Sequence, residues 1–229
     1  MRILALGFLL SPFLFPAEIQ IRYRTESLRG WTVHLEQELH SRKELRQEVL
    51  GLLAAKLREL DSRLPGDVVE RLREVEIYFH LDRKGNPGAA YHPSTEWLRE
   101  HDLNTDWAGN IEFGNAANFL TWIHDQPSMV LHEMAHAWHH QVLGYDHGEI
   151  LGAFQAASDS GEYQEVLYVR GGRHPAYALN NEQEYFAESS EAWWGTNDNY
   201  PFVRGELLEH DPRMAEVLER VWSQVPATK

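Results

Sequence analysis

His132-Glu133-Met134-Ala135-His136 constrains this chain more than any other stretch. It lies in a run, about Ser128 to Val142, that reads as helix and ends at Gly144. Residues four apart on a helix share a face, one turn above the other. Two imidazoles placed that way can bind a single divalent ion, and the glutamate between them can reach a water on that ion. A catalytic metal usually takes three protein ligands and leaves one position for water. A chain built around this helix must therefore bring a second polar segment to it.

The remaining pattern is α+β. Trp31, Val33 and Leu35 alternate with Thr32, His34 and Glu36, which predicts a strand. Leu45, Val49, Leu52, Leu53, Leu57 and Leu60 keep helical spacing, and Pro65-Gly66 reads as the stop. Val75, Ile77, Phe79 and Leu81 mark a second strand, Ala89 to His92 a short one, and Asn110 to Asn115 another, with the turn cluster Lys84 to Gly88 between. A helical turn over Asn118 to His124 precedes helix-start residues at Asp125 to Ser128. Helices follow over Glu149 to Ser158, from Asn181 to Gly195, and near Phe202 to Glu209 and Pro212 to Trp222, with a small hairpin strand at Val166 to Val169. The expectation is one domain over residues 18–229. Its sheet-containing part, 18–144, carries the histidine helix, and 145–229 is mostly helical, with a cleft between the two.

Composition bounds the partners. The chain has 229 residues, 43% hydrophobic and 24% charged, with net charge −14, so its surface repels nucleic acid and anionic lipid. It contains 0 cysteines, which excludes disulfides, thiolate metal sites and cysteine nucleophiles. Arg2, the apolar run Ile3 to Leu10, and Ala17 before Glu18 read as a secretory signal peptide over residues 1–17, too short for a membrane span. The expectation is a secreted or periplasmic monomer that acts on peptide or protein, with no stable membrane association after processing.

Candidates for the third ligand are Glu182, Glu184, Glu188, His139, His140, Asp146 and His147. His139 and His140 sit too far along the same rigid helix to close a shell around His132 and His136. His139 and Val142 also depart from the metzincin pattern, which needs glycine and histidine there. His147 follows the turn at Gly144 and could fold back, which keeps it as the alternative. Glu184 is favoured. It lies on a separate helix whose Tyr185, Phe186, Trp193 and Trp194 imply burial, and a buried carboxylate needs a partner. Glu188, one turn on, could accept the spare N–H of a ligand histidine and fix its ring. Ala187 and Ala192 permit close helix approach, and Trp193-Trp194 could contact substrate. His174 could line the cleft. His34, His40, His80, His92, His101 and His210 read as surface or hydrogen-bonded residues.

The histidine motif followed by Asn181-Glu182-Gln183-Glu184-Tyr185-Phe186-Ala187-Glu188 resembles the gluzincin metallopeptidases, and most closely the lethal-factor-like catalytic domain. The resemblance covers about Gln126 to Trp194; Gly195 to Phe202 also looks like a segment of secreted bacterial relatives. It implies a zincin-type fold and one zinc ion held by His132, His136 and Glu184. It also implies Glu133 as general base, Tyr177 as a residue assisting the transition state, and hydrolysis of peptide bonds. In such enzymes an edge strand that pairs with substrate precedes the metal helix, which points to Asn110 to Asn115. Two alternatives stand beside it: a SprT-like arrangement with His147 as third ligand, which the acidic charge fits poorly, and a catalytically silent zinc-binding module that recognises extracellular protein.

Overall fold

The computed structural model describes residues 21–223; the signal-peptide expectation for residues 1–17 lies outside them. The described chain opens with a hairpin, β1 (Tyr23–Leu28) and β2 (Trp31–Glu36), turned through Arg29 and Gly30 at φ 54° and 91°. Both central residues adopt positive φ, as a tight hairpin with the native twist requires. The sequence does not announce β1, because Arg24, Thr25, Glu26 and Ser27 show no apolar alternation.

Helices α1 (Gln37–Ser41) and α2 (Lys43–Arg63) follow, and Val49, Leu53, Leu57 and Leu60 bury one face of α2. Pro65 is both the break after α2 and the N-cap of α3 (Gly66–Leu72), so the expected stop is also a start. Then come β3 (Ile77–Phe79), β4 (Ala89–Tyr91), α4 (Thr95–Glu100), β5 (Ile111–Phe113) and α5 (Ala116–Trp122). The histidine helix is α6 (Met129–Trp138). It is followed by α7 (Gly148–Ser160), the small hairpin β6 (Val166–Leu167) and β7 (Arg173–His174), α8 (Glu182–Trp194), α9 (Arg204–His210) and α10 (Pro212–Val221).

The fold is α+β, with a small mixed sheet of five strands in the order β1-β2-β3-β5-β4. β2, β3 and β5 run parallel, and the outer strands are antiparallel to their neighbours. The register aligns Val33, Ile77 and Ile111 in one row and Leu35, Phe79 and Phe113 in the next. These rows face the buried side of α2 and join one continuous core that also takes in α6, α8 and α10. The opposite face of the sheet carries the row His34, Tyr78 and Glu112 and is covered by Leu98 and Trp107.

One expectation fails here. The Asn110 to Asn115 segment forms β5, which is paired on both sides, so it has no free edge. The edge strand next to it is β4. Strand order follows from how the chain crosses over, which period-two patterning does not encode.

The packing of α6 against α8 positions the functional side chains. Trp222, just past α10, stacks on Trp138 of α6 at 5.4 Å and on Phe186 of α8 at 5.8 Å, and donates its indole N–H to Ser190 Oγ at 3.1 Å. Ser128 does not cap α6 with its side chain. Its Oγ accepts from the backbone of Thr196 at 2.9 Å, tying the start of α6 to the end of α8. A Cβ on Gly195 would run into that hydroxyl, so the approach needs glycine. Past Trp138, the predicted continuous helix opens into a π-helical turn over His139–Leu143, closed by Gly144 at φ 83°. Trp222→Ala should lower unfolding free energy by about 3–5 kcal/mol, measured by urea denaturation; a change within about 0.5 kcal/mol would mean that Trp222 does not clamp α6 to α8.

Candidate metal centre

Helical spacing puts His132 and His136 on one face of α6, and their Nε2 atoms lie 3.1 Å apart. Glu184 reaches them from the first turn of α8. Asn181 caps that turn, its side chain accepting from the Glu184 backbone at 2.8 Å, which holds Glu184 at a set position. Glu184 Oε2 is 3.1 Å from His132 Nε2 and 3.4 Å from His136 Nε2.

These three atoms could hold a metal ion. Ligands at about 2.0–2.1 Å from a tetrahedral ion are separated by about 3.3 Å, which matches the observed triangle. His132 Nδ1 is 2.7 Å from Glu191 Oε1, so that nitrogen carries the hydrogen. In a neutral ring, Nε2 would then aim its lone pair at the Glu184 carboxylate, which is repulsive without a cation between them. Burial works against an imidazolium at His132, yet its contacts with Glu184 and Glu191 outweigh burial and push its pKa well above the ordinary range. Burial likewise raises Glu184, but hydrogen bonds from His132 and His136 outweigh it and hold its carboxyl down at about 2.

The partner of His132 is Glu191, which corrects the expectation for Glu188. Glu191 lies seven residues beyond Glu184, two turns along the same face, and sequence spacing alone could have found it. Glu188 lies between them, 5% exposed, hydrogen-bonded with the Asn197 side chain and facing Asn199 Nδ2 at 3.5 Å. His132, Glu188 and Glu191 are also close enough together to share an ion. Burial pushes the carboxyl groups of Glu188, Glu191 and Asp198 upward.

His132 of the triangle lines a cleft of about 540 Å³. Glu133 lines it from α6, Tyr177 from a 3₁₀ turn (Tyr177–Leu179), and Gly88 and Ala89 from the end of β4. Tyr177 is 51% exposed, and burial of its other half together with the Glu184 charge raises its phenol, which stays protonated at neutral pH. His174 lines the cleft too. Trp193-Trp194 does not. Trp193 is buried under the Arg204 guanidinium at 3.6 Å, and Trp194 packs with α2 residues around Leu60.

The other ligand candidates lie elsewhere. His147 caps α7 and is in neither metal-competent group among the described residues. His139 is fully buried against Tyr145 and Phe186, with both ring nitrogens unpartnered, and burial holds its pKa down at about 3. His80 and His92 are buried on the far face of the sheet, around Glu112, which also pairs with Arg83. The chain matches no protein-family model, no curated protein and no solved structure.

Glu191→Ala should weaken metal binding roughly 10–100-fold, read by competition with a chromophoric chelator; unchanged affinity would show that Glu191 does not set the His132 ring.

Proposed function

We propose that this chain is a zinc-dependent metallopeptidase of gluzincin type on a zincin-type fold. The observation that carries the reading is the convergence of the His132, His136 and Glu184 ligand atoms, with His132 and Glu133 lining the cleft. Two imidazoles and a carboxylate suit zinc. A zinc ion held there would supply Lewis acidity toward a peptide carbonyl and activate water at neutral pH. Glu133 accepts a proton from the attacking water and delivers it to the leaving amine. Tyr177, a protonated phenol at the cleft wall, donates a hydrogen bond to the carbonyl oxygen as charge builds on it. An extended peptide lies along β4, which pairs with β5 on one side and whose end borders the cleft.

The reading extends to a monomer that acts on peptide rather than nucleic acid, supported by the net charge of −14. Export is proposed on the residues of the N-terminal segment alone. The SprT-like alternative loses ground because His147 lies outside the metal-competent groups among the described residues.

Purified protein should carry one zinc equivalent. Glu184→Gln should lose it while His147→Ala keeps it, measured by elemental mass spectrometry. Glu133→Gln should keep the metal and lower kcat on a peptide library by roughly 10²–10⁴-fold. Metal binding and partner binding that are indifferent to Glu133→Gln, with no cleavage by the unaltered protein, would favour a silent zinc-binding module. Chelation should lower Tm, because the metal binds the folded chain and not the unfolded one.

A further inference from the structure

The outer strand β4 turns a definite set of main-chain groups to its open side. The Gly88 carbonyl accepts from the Gly114 N–H at 2.8 Å, and the His92 N–H donates to the Asn110 carbonyl at 3.0 Å. In an antiparallel ladder, residues bonded to the partner strand alternate with residues that point away from it. Gly88, Ala90 and His92 therefore face β5, while Ala89 and Tyr91 present N–H and C=O along the free edge. Ala89 lines the cleft.

Tyr91 is also held through its side chain, which is buried and reaches the π-helical turn after α6. Gln141 Nε2 donates to the Gly109 carbonyl at 2.8 Å and to Tyr91 Oη at 3.1 Å. The Gly109 carbonyl fixes that amide, because exchanging its ends would set two oxygens against each other. Tyr91 Oη accepts from Gln141, so its own hydrogen goes to His140 Nδ1, 2.8 Å away. Burial pushes the phenol up to about 12 and the His140 imidazole down, so at neutral pH the phenol keeps its hydrogen and the ring its lone pair. One hydroxyl thus ties β4 to His140 and Gln141, and Gln141 ties in the turn before β5. π-Helical turns are frequent at functional sites. This one begins directly after the helix that carries His132 and His136.

We propose that Tyr91, His140 and Gln141 are positioning residues, which lock the free edge of β4 in register with the metal helix so that a paired peptide meets the metal triangle at a set place. This rests on the peptidase reading above. The main chain of Tyr91 pairs with the peptide, and its hydroxyl is fixed by the turn that extends the ligand helix.

The test uses the full chain loaded with zinc. A peptide library first asks whether any bond is cut; no cleavage at all would sink the peptidase reading, and the proposal with it. Tyr91→Phe removes the one hydroxyl. It should keep one zinc equivalent and lower kcat/KM on the cleaved peptides by roughly tenfold or more. His140→Leu should do the same. His140→Asn places an amide oxygen where Nδ1 accepts, and should stay within about threefold of the unaltered protein. Each amide of a cleaved peptide is then methylated in turn, which removes one N–H that the strand edge can accept. Where methylation costs the unaltered protein roughly tenfold, it should cost Tyr91→Phe protein about threefold or less, because both changes disturb the same pairing. A hydroxyl that only stabilises the fold would give losses that add. Calorimetry on Glu133→Gln protein, with and without Tyr91→Phe, reads the same coupling in Kd without turnover. Cleavage by Tyr91→Phe within about twofold of the unaltered protein, or additive methylation losses, would overturn the proposal and leave the peptidase reading standing. If Tyr91→Phe fails to fold, Gln141→Ala, at an exposed residue, carries the same comparison.

Discussion

The contact between α6 and α8 is the constraint on which the rest of the molecule depends. Neither helix can hold an ion alone: α6 presents two imidazoles on one face, and α8 presents one carboxylate in its first turn. Joining them requires close approach, which Ala135 and Ala187, both fully buried, allow. It also requires a fixed axial register, supplied by Ser128 against Gly195 at one end and by Trp222 wedged between Trp138 and Phe186 at the other. A shift of one residue along α8 would rotate Glu184 by about 100° away from the histidines.

Burying so many carboxyl groups beside each other is unfavourable unless each has a partner. The molecule treats its two acidic clusters differently. On the far face of the sheet, Glu112 is surrounded by Arg83, His80, His92 and Asn86; burial alone would raise its pKa, but hydrogen bonds from His92 and Arg83 outweigh it and hold it low. That cluster is closed, under Trp107, and balances its own charge. In the cleft, Glu184 and Glu191 are matched to His132, while Glu188 and Asp198 face open volume. The contrast separates a polar layer that seals the sheet from one that lines the cleft.

Much of this was legible in residue order. The alternation at Trp31 to Glu36 and the run through Val75 to Leu81 mark β2 and β3, since a strand with one face in the core must alternate. Asn181 before an aromatic and acidic run marks the start of α8. The misses have physical causes. β1 is a polar edge strand, 23–28, whose pairing is imposed by β2 rather than by its own side chains. Glu188 and Glu191 both follow Glu184 on the same helical face, and spacing cannot say which one meets His132 until the crossing geometry of the helices is known. Trp193-Trp194 read as a cleft wall because it adjoins the ligand helix, but it falls on the side turned toward Arg204 and α2.

By itself the sequence determined the local chemistry: two histidines one turn apart with a glutamate between them, an acidic capped helix downstream, no thiols, and an acidic surface. Those follow from backbone periodicity and side-chain identity, which are properties of short segments. The tertiary structure alone decided that β4 and not β5 is the outer strand beside the cleft, that Glu191 orients His132, and that Asp198 and Asn199 turn into the cleft. Each of these depends on which distant segments become neighbours, and that is set by the burial of the whole core rather than by any one stretch of chain.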